Sequence, residues 1–113
     1  MVKIEAIIKP HKLDAVKEAL VKVGVAGMTV IEVRGFGKQK GHEDLMGKET
    51  LTIDFLPKLK LEIVCSDSER EKITGALCKA ARSGKIGDGK VFVTPVLDAI
   101  RIRTSENGDD ALR

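Results

Sequence analysis

One pattern constrains this chain more than any other, because it occurs twice: an alternating apolar run, then an apolar stripe at helical spacing, then another β-branched run. Val2 to Lys9 alternates apolar and polar residues until Ile7 and Ile8 fall together, which suits a strand with one well-covered face. Pro10 stops that strand and can open a helix. From His11 to Val23 the residues Leu13, Val16, Leu20 and Val23 recur at helical spacing, with Gly24 as the C-terminal cap. Met28 to Arg34 is β-branched and predicts a second strand. After Leu51 to Phe55 resumes the alternation, Pro57 interrupts it, and Leu59 to Cys65 continues as a third strand. Ser68 and Glu71 have capping-box spacing ahead of a helix carrying Ile73, Leu77 and Ala80. Val91 to Val93 predicts a fourth strand ending near Pro95, and Ile100 to Arg103 a short last one. The tail from Ser105 to Arg113 is polar and expected to fray.

The order β-α-β-β-α-β is that of the ferredoxin-like split βαβ arrangement. It is an α+β fold with a four-stranded antiparallel sheet and two helices on one face. The two halves match in architecture, without a sequence repeat. With 113 residues there is room for a single domain, residues 1–113, around one core. Aromatic residues are 3%, with no Trp or Tyr, so the core must be built from Ile, Val, Leu and Ala. So light a core, and a sheet face without helices, point to self-association. No apolar run reaches the length of a spanning helix and the chain starts directly on a strand pattern, so a cytoplasmic protein without a signal peptide is expected. Cys65 and Cys78 have no metal-ligand spacing and read as reduced thiols. The net charge of +3 is dispersed along the chain and gives no argument for nucleic acid.

Two loops carry the functional signal. Phe36 to Thr50 is polar, has no apolar period and, with Gly35, holds Gly37, Gly41 and Gly47. A stretch of this kind at the tip of a hairpin is more often functional than idle. Gly84 to Lys90 matches the GxxxxGK part of a phosphate-binding P-loop. Val91 stands where the magnesium-binding hydroxyl is needed, and a helix precedes the loop while a strand follows, so a P-loop NTPase is rejected. Close-set glycines can still turn backbone N–H groups onto an anion, with Lys90 adding a fixed charge, although a plain tight turn uses glycines equally well. Arg101 and Arg103, two apart on the last strand, share a face; a solvated edge would look the same. With Lys90 they supply three cations for a polyphosphate. Gly35-Phe36-Gly37 would let a further backbone segment approach a ligand. Catalysis finds no support: His11 and His42 are isolated, and the pairs Glu43-Asp44 and Asp109-Asp110 lie in polar surroundings. The chain reads as a binding protein, not an enzyme.

Several strings resemble one family, the PII nitrogen-regulatory signal-transduction proteins. They are Ser83 to Val93 (SGKIGDGKVFV), Ile4 to Pro10, Gly27 to Val30, Gly35 to His42, Asp54 to Lys58 and Ile100 to Thr104. The likeness is collinear and spans nearly the whole chain. It implies a homotrimer of ferredoxin-like subunits that binds ATP or ADP in clefts between neighbours. By that resemblance Gly87, Asp88, Gly89 and Lys90 surround the phosphates, with Gly37, Lys38, Arg101 and Arg103 adding contacts and charge. Ile7, Thr29, Gly35, Glu62 and Val64 meet the base and ribose. The family's second ligand is 2-oxoglutarate, chelating magnesium held by ATP. Gln39 would complete the metal shell, Lys58 would pair with the distal carboxylate, and Lys40, Gly41 and Gly87 would contribute further contacts. ADP, lacking the γ-phosphate, should not support this binding.

The likeness also divides the chain into a T-loop (about 37–55), a glycine-rich B-loop (about 82–90) and a C-terminal segment (about 99–113). Partners would read the T-loop through Lys40, His42, Glu43, Asp44, Leu45, Met46, Gly47, Lys48, Glu49, Thr50 and Leu51. Those partners are an ammonium transporter, which would recruit the protein to the inner membrane, or enzymes of nitrogen metabolism. The tip departs from the family. Leu51 replaces the tyrosine that is uridylylated in many members, so that modification is excluded. Glu49 replaces a serine phosphorylated in others, and Gly47 replaces an arginine that enters the ammonium channel, although Lys48 is adjacent.

Three other readings compete. A related sensor of carbon metabolism or transport would answer to a different small anion such as bicarbonate, but Gln39 and Lys58 favour 2-oxoglutarate. A small ferredoxin-fold phosphatase or slow ATPase lacks a positioned nucleophile and base. An RNA-binding module lacks the aromatic pairs that stack bases.

Overall fold

The computed structural model describes residues 1–36, 40–43, 49–51 and 55–113. The central strand β1 (Val2–Ile8) alternates buried and half-buried residues along its whole length. It is followed by a 3-10 turn at Pro10–Lys12 and helix α1 (Leu13–Lys22). Pro10 supplies the fixed φ that opens the turn, and Gly24 closes the helix at φ +94°. Strand β2 (Thr29–Gly35) then leads to a two-stranded ribbon of β3 (Lys40–Glu43) and β4 (Glu49–Leu51). Strand β5 (Leu56–Cys65), helix α2 (Arg70–Ala81) and strand β6 (Lys90–Pro95) complete the framework.

The four long strands form one antiparallel sheet in the order β2-β5-β1-β6, the split βαβ topology. Because β2 pairs with β5, with Gly35 opposite Leu56, the segment 37–55 springs from the end of a hairpin. One sheet face is lined by Val2, Ile4, Ala6 and Ile8 of β1 and Leu61, Ile63 and Cys65 of β5. Val16 and Leu20 of α1 and Ile73, Leu77 and Ala81 of α2 complete the aliphatic core. The other face carries the alternate residues. The registers align Lys3, Glu5 and Ile7 with Val64, Glu62 and Lys60 on one side and with Thr94, Phe92 and Lys90 on the other.

Four local expectations are corrected. Pro57 does not interrupt β5, because it lies beyond the last pair with β1, Ile8 to Leu59, where no bond to β1 can be lost. Ser68 and Glu71 form no capping box. A 3-10 turn at Asp67–Glu69 precedes α2, and the Ser66 and Ser68 hydroxyls pair with each other at 3.1 Å. Ile100 to Arg103 is not a strand. Ile100 makes one bridge to Asn107, and residues 101–104 turn, because Glu106 accepts from both Thr104 (2.7 Å) and Arg101 (2.9 Å). Nor does the tail fray: Gly108–Leu112 is a 3-10 turn, tied by the Gly108 amide to the Ala99 carbonyl at 3.0 Å.

Candidate functional site

Positive φ values at Gly87 (+96°) and Gly89 (+101°) fold the loop between α2 and β6 back onto the end of β1. Gly89 passes so close that a Cβ there would overlap the Ile7 carbonyl oxygen, so only glycine fits. Asp88 lies between them with its carboxylate turned inward. It accepts the amides of Ser83 and Gly84, each at 2.9 Å, and the Ser83 hydroxyl, and it pairs with Lys9 at 3.2 Å. The Ser83 hydroxyl and amide, with help from Gly84 and Lys9, hold the Asp88 carboxyl well below the usual carboxylate range. On the other side Lys58 donates to the Gly87 carbonyl at 3.0 Å.

Beside this loop lies a cleft of about 730 Å³ walled by Gly87, Asp88, Gly89 and Lys90, with Ile7, Gly35, Lys58 and Lys85 around it. Phe36 and Phe92 supply its apolar floor. Phe36 also packs edge-on against Phe55, ring centres 5.0 Å apart, across the root of the long loop. Glycine amides, three lysines and apolar surface are what a phosphorylated ligand with a flat ring needs. A neighbouring hollow of about 580 Å³ collects Lys9, Lys58 and Lys85 against Gly84, Ile86 and Gly87, and would attract a carboxylate.

The remaining residues singled out from sequence lie elsewhere. Thr29 on β2 and Glu62 on β5 are opposed in register, three and two strands away from β6 respectively. Val64 borders a separate hollow of about 590 Å³ at the other end of β5, with Gly27, Asp109, Leu112 and Arg113. Arg101 is fastened to the C-terminal segment by Glu106, by the Asp110 carbonyl at 3.1 Å and by the Arg113 carbonyl. Neither Arg101 nor Arg103 lines the Lys90 cleft, so a single chain does not gather the three cations. Gly37, Lys38 and Gln39 lie outside the described residues, as do Asp44, Leu45, Met46, Gly47 and Lys48. Lys40, Gly41, His42 and Glu43 form β3, and Glu49, Thr50 and Leu51 form β4. Sequence reasoning assigned no role to Lys9, Ser83, Lys85 or Phe92. The Ser83–Asp88 spacing across a glycine turn is a usable signal for one of them. Lys9, 74 residues from Ser83, leaves none.

Known proteins share this architecture. A family model described as nitrogen regulatory protein P-II matches residues 1–106. The nitrogen regulatory protein P-II of Azospirillum brasilense is 57% identical over 112 residues, covering 99% of this chain and 100% of that protein. Its counterpart from Cereibacter sphaeroides is 56% identical with the same coverage. Among solved structures, Arabidopsis thaliana PII bound to citrate aligns with a TM-score of 0.82 at 39% identity, covering 99% of this chain and 89% of that one. The chain therefore belongs to the PII family of nitrogen regulatory proteins. Its function is signal transduction in nitrogen regulation.

Proposed function

We propose that this protein weighs ATP against ADP, senses 2-oxoglutarate together with Mg-ATP, and reports to its targets through residues 37–55. The carrying observation is the cleft in which Gly87, Gly89 and Lys90 meet Ile7 and Gly35. Those are the residues that a phosphate chain and an adjoining ribose would require. The rest of the nucleotide set, Thr29, Glu62, Val64, Arg101 and Arg103, is supplied by a neighbouring copy in a cytoplasmic homotrimer. Two features support that division. Arg101 and Arg103 do not line their own chain's cleft. Leu97 and Ile102, which flank Arg101, are 103% and 98% exposed, apolar surface that calls for a cover.

Lys58 is the residue for the second ligand. Its ammonium rests on the Gly87 carbonyl, a partner that an entering carboxylate can replace with a stronger one. Citrate in the Arabidopsis protein is likewise a small polycarboxylate. Magnesium would arrive with the nucleotide, since Asp88, the one acidic side chain among the described residues that line the cleft, already has both oxygens occupied. Gln39 would add an oxygen to the metal held by the phosphates, and ligation there would redirect the loop that it roots. The output is binding to a nitrogen-metabolism enzyme or an ammonium transporter, with no reaction catalysed. Among the described residues no helix is long and apolar enough to cross a membrane, so membrane recruitment would go through that partner.

Isothermal titration tests this reading. ATP and ADP are each expected to bind, and 2-oxoglutarate to bind the Mg-ATP form only. Failure to bind ATP, or equal 2-oxoglutarate binding with ADP, would overturn it. Preference for bicarbonate over 2-oxoglutarate would favour the related sensor of a different anion.

A further inference from the structure

The loop contacts around Asp88 do something that nucleotide contact does not require. Its Oδ1 takes the Ser83 hydroxyl and Lys9, and its Oδ2 takes the amides of Ser83 and Gly84. Lys9 also donates to the Ser83 hydroxyl at 3.1 Å, and that oxygen accepts the Lys85 amide at 3.2 Å. These bonds close a ring that joins the residue after β1 to both ends of the glycine turn. A carboxylate engaged by four donors has little capacity left for a metal or a ribose hydroxyl. Facing the cleft unpaired, its charge would oppose phosphate binding. Held here against Lys9, it does not cancel Lys90.

We propose that Asp88 is a positioning residue of the phosphate loop and not a ligand contact, and that Lys9 and Ser83 are its working partners. The clasp they form fixes the turn that aims Gly87, Gly89 and Lys90 into the cleft. This rests on the nucleotide reading above, and it moves Asp88 out of the contact set that the family resemblance gave.

The test uses full-length D88N, K9M, the double variant and K9R. Without nucleotide, amide exchange at Ser83 and Gly84 is expected to accelerate about tenfold or more in D88N. ATP and ADP should both weaken about tenfold in D88N and in K9M, with an unchanged magnesium requirement. The double variant should bind about as well as either single one, and K9R should recover most of the loss. Unchanged exchange, tighter nucleotide binding by D88N, a loss confined to Mg-ATP, or fully additive losses would each overturn the proposal. Should D88N fail to fold, S83A and K9M carry the same comparison. A wild-type chain that binds neither nucleotide overturns the nucleotide reading instead, and exchange at Ser83 and Gly84 then judges the clasp alone.

Discussion

Gly89 is the residue on which the cleft depends most. Its positive φ and its approach to the Ile7 carbonyl exclude any side chain, so G89A must move the loop away from β1. We expect ATP affinity to fall at least about tenfold, with a stability loss of ~1–3 kcal/mol. Titration and urea unfolding measure the two effects, and near wild-type binding would show that the amides play no part. Lys58 separates the two ligands: K58M should abolish 2-oxoglutarate binding while weakening ATP less than K90A does, because the hydrogen bond of Lys58 to the loop goes to the Gly87 carbonyl. Asp88 gives a prediction in pH. Its carboxyl is held below the usual value of 3.8 in the folded chain, so the clasp is complete above that value and is lost only as pH falls further. Protection of the Ser83 and Gly84 amides, corrected for intrinsic rates, should therefore persist at about pH 4. Its loss in the ordinary carboxylate range would contradict the contacts described.

At the scale of elements, the chain's periods carried most of the fold. Val2, Ile4, Ala6 and Ile8 alternate as a strand should, and Val16 with Leu20 and Ile73 with Leu77 recur as helices should, and all eight are buried. Removing one of these contacts should be costly. L77A, fully buried between α2 and the sheet, is expected to lose ~2–5 kcal/mol in urea unfolding at fixed protein concentration. Legibility failed where side chains overrode the pattern. Four alternating residues, Ile100 to Arg103, read as a strand until Glu106 draws Arg101 and Thr104 into a turn. Ser68 sits at cap spacing, yet its hydroxyl is paired with Ser66. The glycines and Lys90 could be read as an anion loop, but Lys9, which holds Ser83 and Asp88 of that loop, comes from the far side of the sequence, where no spacing rule reaches.

For the whole molecule, the sheet face without helices is the remaining question. It carries a ladder in which Glu5 lies 3.5 Å from Lys3 and 3.7 Å from Lys60, while Lys60 also reaches Glu62 at 3.6 Å. Partial dehydration opposes ionisation of Glu5, but Lys3 and Lys60 outweigh it and hold the carboxyl below its ordinary range. Ile31 and Phe92, 38% and 49% exposed, lie on the same face. In a trimer that face and the Leu97–Ile102 surface would meet copies of the chain, and Lys90 would meet a neighbour's arginines.

The decisive measurement is ATP titration of trimers co-assembled from two variants, K90A and R101A/R103A. Each alone should bind ATP weakly. If the cleft takes Lys90 from one subunit and both arginines from the next, an equal mixture restores about one site in four. If a single chain supplies all three cations, the mixture binds no better than its components, and the inter-subunit cleft is wrong.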